Sequence, residues 1–164
     1  MLLSPAIRNR LEMQGYTCTD DAAFARVVPW LRFTPALCAA LIAIGTALAS
    51  PVVLWILVLL AALGAVFPRH PFDFIYNAGL RHLIGTPPLP PNGTPRRLAC
   101  GTAAVWLAAT AWAFGSGATM TGYVLGGILT AAGAVVSVSH FCLPSFVYAV
   151  LTARRRSGAR SPGP

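Results

Sequence analysis

The chain has 164 residues, of which 56% are hydrophobic and 10% charged, against roughly 25% charged in an ordinary soluble domain. One domain of this size cannot hide so much apolar surface in water, because small domains bury a smaller fraction of what their chains expose; the same composition excludes a disordered chain. Twelve Arg against four acids, with no Lys, give a net charge of +8, which in a soluble protein would suggest nucleic acid.

Here the arginines fall in three clumps separated by long uncharged stretches, the distribution of a membrane protein's cytoplasmic loops. The expected partner is therefore the lipid bilayer and not nucleic acid. Arg without Lys in an Ala-rich chain suggests a bacterial source. The first 22 residues hold no apolar run and no cleavage site of the kind a secretory signal needs, and residues 1–32 read as a retained cytoplasmic leader.

Between Arg32 and Arg69 lie 36 uncharged residues, too many for one span of about 20 and enough for two short ones. Ser50-Pro51 divides them, since Pro is accommodated in the first turn of a helix, giving spans at 33–49 and 51–67. Between Arg97 and Arg154 lie 56 uncharged residues. Gly115-Ser116-Gly117 breaks this stretch into spans at 98–114 and 120–138, while residues 141–152 either continue the fourth helix or bend along the interface at Pro144. Two spans per stretch leave four Arg in the leader, four in 68–97 and four in the tail, all on one side, as the positive-inside bias requires. The expected fold is all-α: an integral membrane four-helix bundle of two helical hairpins, with a short cytoplasmic interfacial helix between them. The expected location is a bacterial plasma (inner) membrane, with both termini cytoplasmic. Residues 33–152 form the membrane domain, and 153–164 a basic, disordered tail.

The inward-facing connection is the most patterned stretch. Pro71 can start a helix, and Phe72, Ile75, Tyr76, Gly79, Leu80, Leu83 and Ile84 recur at helical period, with Asp73, Asn77 and Arg81 on the other face. That predicts an interfacial helix over 71–84, followed by an extended polyproline arm over 85–95. HPFDFIYNAGLRHLIGTPPLPPNGTPRRLACG, with the later FCLPSF, resembles the bacterial membrane proteins of domain-of-unknown-function family 4395, over about Trp30 to Leu151. The resemblance implies a small multi-span inner-membrane protein with no established activity. It also implies a Cys-Pro pair near the N-terminus, where this chain has Cys18-Thr19 instead.

Cys38 and Cys100 lie six and three residues beyond Arg32 and Arg97, and Cys142 lies two residues after His140. All sit near the inner, reducing side, where structural disulfides are not expected. Two readings stay open. In one, Cys142, Cys100 and His140 are candidate catalytic groups of a thiol site; in the other, each Cys is a small apolar core residue. With no C-x-x-C present, neither a metal nor any other cofactor is expected. His140 is the only histidine in the second long uncharged stretch, so a relay role competes with a neutral, hydrogen-bonded imidazole. Arg81, His82, Arg96 and Arg97 could contact anions or lipid head groups, or could simply set topology. Asp73, the only acid after residue 21, is expected to form a structural ion pair with Arg69.

Three functions remain. The first is a non-catalytic membrane subunit or scaffold whose helix and arm dock a cytoplasmic protein. The second is a thiol-dependent redox or sulfur-handling protein that uses Cys142, with a thiol- or sulfur-transfer protein as its partner. The third is an oligomeric small-solute transporter, a homo-oligomer because four short helices enclose little pore. Thr46, Thr102, Thr110, Thr130, Ser137 and Ser139 are too few to mark a hydrophilic path through it.

Overall fold

The computed structural model describes residues 4–16 and 21–158. Among them every regular element is helical. Helices α1 (Pro5–Met13) and α2 (Asp21–Val27) precede a short 3-10 turn, Trp30–Arg32, that runs into α3 (Phe33–Ala47). A tight turn leads to α4 (Pro51–Val66), where Pro51 occupies the first turn and Ser50 caps it, its hydroxyl accepting from the Val53 N–H at 3.4 Å. The connection holds α5 (Pro71–Ile75), a π-turn (Tyr76–Leu80) and α6 (Arg81–Ile84). Then come α7 (Thr94–Gly115), α8 (Thr119–Ser139) and α9 (Leu143–Gly158).

Trp30–Ala47, α7 and α8 are each long and apolar enough to cross a membrane, and the protein is membrane-embedded. The 16 residues of α4 reach only about 24 Å at about 1.5 Å per residue. Helix α4 qualifies as a span together with the 71–84 segment, from which it is bent by 82°. Helix α4 packs on α7, α7 on α8, α8 on α3 and α3 on α4. Small residues permit these contacts: Gly133 faces Ala39, and Gly126 faces Thr46.

There are two cores. Ile42, Leu54, Leu57, Ala61, Ala104, Leu107 and Ala111 fill the space between the long helices. A second cluster, Leu11, Tyr16, Val27, Val28, Leu31, Tyr76 and Leu89, packs the N-terminal segment against the 71–92 connection and forms a cap on the Arg-bearing ends of the bundle. The closest approach within this cap is between backbones: a side chain on Gly93 would begin 2.7 Å from the Gly15 carbonyl oxygen, and Gly15 has φ +89°. Only glycine accommodates both conditions, and the contact delivers Tyr16 to the start of α7.

Several expectations are corrected here. The connection is helical over 71–84 but is not one regular α-helix: of the expected stripe, Phe72 and Tyr76 are buried in the protein, whereas Ile75, Leu83 and Ile84 are exposed. The π-turn inserts one residue into the helical repeat, rotating everything after it by about 100°. The arm does not project either, because Leu89 is buried and its N–H donates to Asn77 Oδ1 at 2.8 Å. Helix α7 starts at Thr94 rather than 98, since Pro95 in its first turn needs no N–H partner. Residues 141–152 do not continue α8: the chain breaks at His140, φ +55°, and resumes as α9. Helix α9 runs to Gly158, so the segment expected to be disordered from 153 is helical to that point; 159–164 lie outside the described residues.

Candidate functional site

The cap is organised by one carboxylate. Pro71 starts a helix at which His70 and Asp73 form a reciprocal cap: His70 Nδ1 accepts from the Phe72 N–H at 3.2 Å, and Asp73 Oδ2 accepts from the His70 N–H at 3.0 Å. Asp73 also accepts from Thr34 Oγ1 at 2.5 Å and from Asn92 Nδ2 at 3.1 Å. The Tyr16 hydroxyl donates to Asn92 Oδ1 at 3.1 Å and accepts from Arg96 Nη1. A single chain of bonds thus ties the start of α3, the connection, the N-terminal segment and the start of α7. Burial pushes the Tyr16 phenol up to about 12, so it stays protonated and can donate and accept at once.

A second cluster closes α8. Arg10 Nη1 donates to the Ser139 carbonyl at 2.7 Å and Gln14 Nε2 to the His140 carbonyl at 2.5 Å, which satisfies acceptors that a helix C-terminus leaves open. Arg32 Nε donates to His140 Nε2 at 2.8 Å. Burial, reinforced by the Arg32 charge, holds the His140 imidazole down to about 4. Arg97 does for α4 what Arg10 does for α8, donating to the carbonyls of Ala65 at 2.9 Å and Val66 at 2.6 Å. Positive side chains at these two C-termini also complement the helix dipole.

Between the cap and the bundle lies a cavity of about 560 Å³. Gln14, Thr34, His70 and Arg96 line it at the cap end. Cys38 and Cys100 line it one turn deeper, four residues past Thr34 on α3 and past Arg96 on α7. Ile42, Trp106, Ile128 and Leu129 line its deep end, Phe141 and Cys142 contribute from the break between α8 and α9, and Pro144 from the first turn of α9. Ser145 Oγ, bonded to the Pro95 carbonyl at 3.3 Å, fastens that break to the start of α7. Gly64 makes room for His70: a side chain there would begin against the imidazole, with Nε2 at 3.2 Å and Cys100 Sγ at 3.3 Å from the same point. Because Nδ1 accepts the Phe72 N–H, the imidazole proton sits on Nε2, and burial lowers the affinity of the ring for a second one.

The structure therefore brings Cys100 and Cys142 together with Cys38, but does not place His140 among the residues lining the cavity, because its ring nitrogen is engaged by Arg32. The four proposed anion contacts also separate. Arg96 faces the cavity, Arg97 caps α4, Arg81 Nε donates to the Asn77 carbonyl at 2.6 Å, and His82 is exposed. Arg81 lines a second, outer recess of about 610 Å³ with Arg69, Phe67 and Phe74. The expected Asp73–Arg69 pair is not formed: Asp73 is 3% exposed, with its oxygens engaged by Thr34, His70 and Asn92. The one salt bridge among the described residues is Arg8–Glu12. No group of three or more His, Cys, Asp or Glu among them is placed to hold a metal. Sequence reasoning passed over Gln14, Tyr16, Thr34, His70 and Asn92. Only His70 left a local signal, the His-Pro-x-Asp spacing of a helix cap.

A membrane-embedded, all-helical protein with a half-open cavity, polar at one end and apolar at the other, is the class these features define. The family model described as Domain of unknown function (DUF4395) matches residues 28–153, and the chain belongs to that family. The match takes in the three cavity cysteines, Thr34, His70, Asp73, Asn92 and Arg96; Gln14 and Tyr16 lie before it. No curated protein and no solved structure matches the chain.

Proposed function

We propose that the protein is a thiol-handling membrane protein that exchanges sulfur bonds with a small molecule bound under the cap. The observation that carries this reading is that Cys38, Cys100 and Cys142, from α3, α7 and the α8–α9 break, line a single cavity. In the same reading the chain crosses the membrane four times, as the hairpins α3–α4 and α7–α8. The cap and its arginines then face the cytoplasm, by the positive-inside bias, where thiols are kept reduced.

Cys142 lies on non-helical backbone at the edge of the cavity and is the attacking group, while Cys38 and Cys100 sit deeper among apolar side chains. The Cys142 thiolate bonds to one sulfur of a substrate disulfide and the other sulfur leaves as a thiolate. A second cavity thiol, giving its proton to the thiolate released in the first step, then displaces the remaining substrate thiolate and leaves a protein disulfide that a cytosolic thiol reduces. His70, with its Nε2 and the Cys100 sulfur both facing Gly64, is placed to offer a hydrogen bond, though not a proton, to a departing thiolate. A docking role for the arm has less support, since Leu89 and Asn92 are packed into the chain's own cap.

The test is maleimide labelling of the full chain in membranes, read by mass spectrometry, with Cys→Ser variants at each position. Cys142 is expected to react at least as fast as a free thiol, and its modification to slow labelling of Cys38 and Cys100. Labelling of all three only after denaturation would sink the proposal.

A further inference from the structure

Resting on that reading, the geometry points to the chemical class of the substrate: we infer that the cavity takes a low-molecular-weight anionic thiol or disulfide, whose carboxylate or sulfonate pairs with Arg96 while its sulfur lies about one helical turn deeper, beside Cys100.

The argument begins with charge. Among the described residues, Arg96 is the only one lining the cavity that carries a permanent charge, and no acid lines it. The nearby carboxylate of Asp73 is engaged by Thr34, His70 and Asn92 and is separated from Arg96 by two neutral links, Asn92 and Tyr16. Tyr16 holds the guanidinium without neutralising it: the hydroxyl accepts from Nη1, and the guanidinium carbon lies 5.5 Å from the centre of the ring. A guanidinium has five donors in a planar fork suited to a carboxylate or sulfonate, and Tyr16 takes one of them. Arg96 also sits in the first turn of the 22-residue α7, where the helix dipole is already positive. Two like fields therefore meet in a half-open cavity with largely apolar walls, where a cation lacking a counter-charge is costly and an anion is correspondingly favoured.

Spacing supplies the rest. Arg96 and Cys100 are four residues apart on α7 and line the same cavity, which puts them about 6 Å apart along the axis. Thr34 and Cys38 repeat that spacing on α3. An anion held at Arg96 therefore delivers a sulfur a few atoms away to the level of the thiols, and the Ile42, Trp106 and Leu129 end receives the apolar remainder.

The test uses full-length, detergent-solubilised protein with Cys18→Ser. The probes are three methanethiosulfonates of similar size: sulfonatoethyl (anionic), trimethylammonioethyl (cationic) and the neutral propyl reagent. Rates at Cys100 and Cys142 are each normalised to a free thiol. The anionic reagent is expected to react about ten-fold faster than the cationic one at low salt, with the preference shrinking as salt rises. Arg96→Lys should keep the preference and Arg96→Gln should abolish it. Equal rates, or a cationic preference, in otherwise wild-type protein would overturn the anion assignment while leaving the thiol reading intact. Failure of all three probes at folded protein would overturn both.

Discussion

Leu11 and Leu54 are both fully buried, yet they are buried against different things. Leu54 belongs to the core between the long helices, where lipid outside is as apolar as the protein inside and helices associate by close packing of small residues. Leu11 belongs to the cap, whose polar groups converge on Asp73. The bundle needs shape and little else; the cap needs every one of its hydrogen bonds. The cavity lies where these two regimes meet, which is why it has a polar end and an apolar end.

Removing the carboxylate should hurt most. Asp73→Ala leaves the Thr34 hydroxyl, the His70 N–H and an Asn92 N–H without an acceptor, at about 1–3 kcal/mol each if buried. A total loss of about 3–5 kcal/mol is expected from denaturant unfolding in micelles followed by circular dichroism. A loss below about 1 kcal/mol would mean that the network does not hold the cap.

The two leucines sharpen the contrast. Leu11→Ala should cost about 2–4 kcal/mol, transfer and cavity terms together. Leu54→Ala should cost about half as much, because leaving a lipid-filled surrounding brings little transfer free energy. The same unfolding assay compares them, and equal losses would erase the distinction.

Acid should loosen the α8 clasp. The folded protein holds His140 near 4, against 6.5 for an ordinary imidazole, so between those values the unfolded chain binds more protons and stability rises with pH. Lowering the pH from about 6.5 to about 4 should therefore cost up to about 3 kcal/mol through this group. His70 is shifted in the same direction and adds to the loss. The difference in melting profiles between wild type and His140→Gln isolates the clasp, and identical pH slopes would show that burial and Arg32 do not hold this imidazole neutral in the fold.

The two regions also differed in how far the sequence revealed them. Helix positions in the bundle followed from where charge is absent and from Ser50-Pro51 and Gly115-Ser116-Gly117. Those are local signals, though they do not by themselves count membrane crossings. That Cys38, Cys100 and Cys142 lie toward the same end of the bundle followed from their places near helix ends: Cys38 and Cys100 shortly after arginines, Cys142 just past the fourth apolar stretch. That they share one cavity did not, because it depends on α8 breaking at His140 with a left-handed residue that has no side-chain signature. The cap was hidden for another reason. Asp73 and Asn77 look like the solvent face of an amphipathic helix until the fold brings partners to them, and those partners lie up to 39 residues away, as Thr34 does from Asp73.

The central claim is that three thiols from separate segments meet under the cap. A short bifunctional maleimide applied to the Cys18→Ser protein in native membranes, followed by digestion and mass spectrometry, measures this directly. Joining of the Cys100 and Cys142 peptides within one chain is the expected result; crosslinks only between chains, or single-ended adducts at every position, would contradict it.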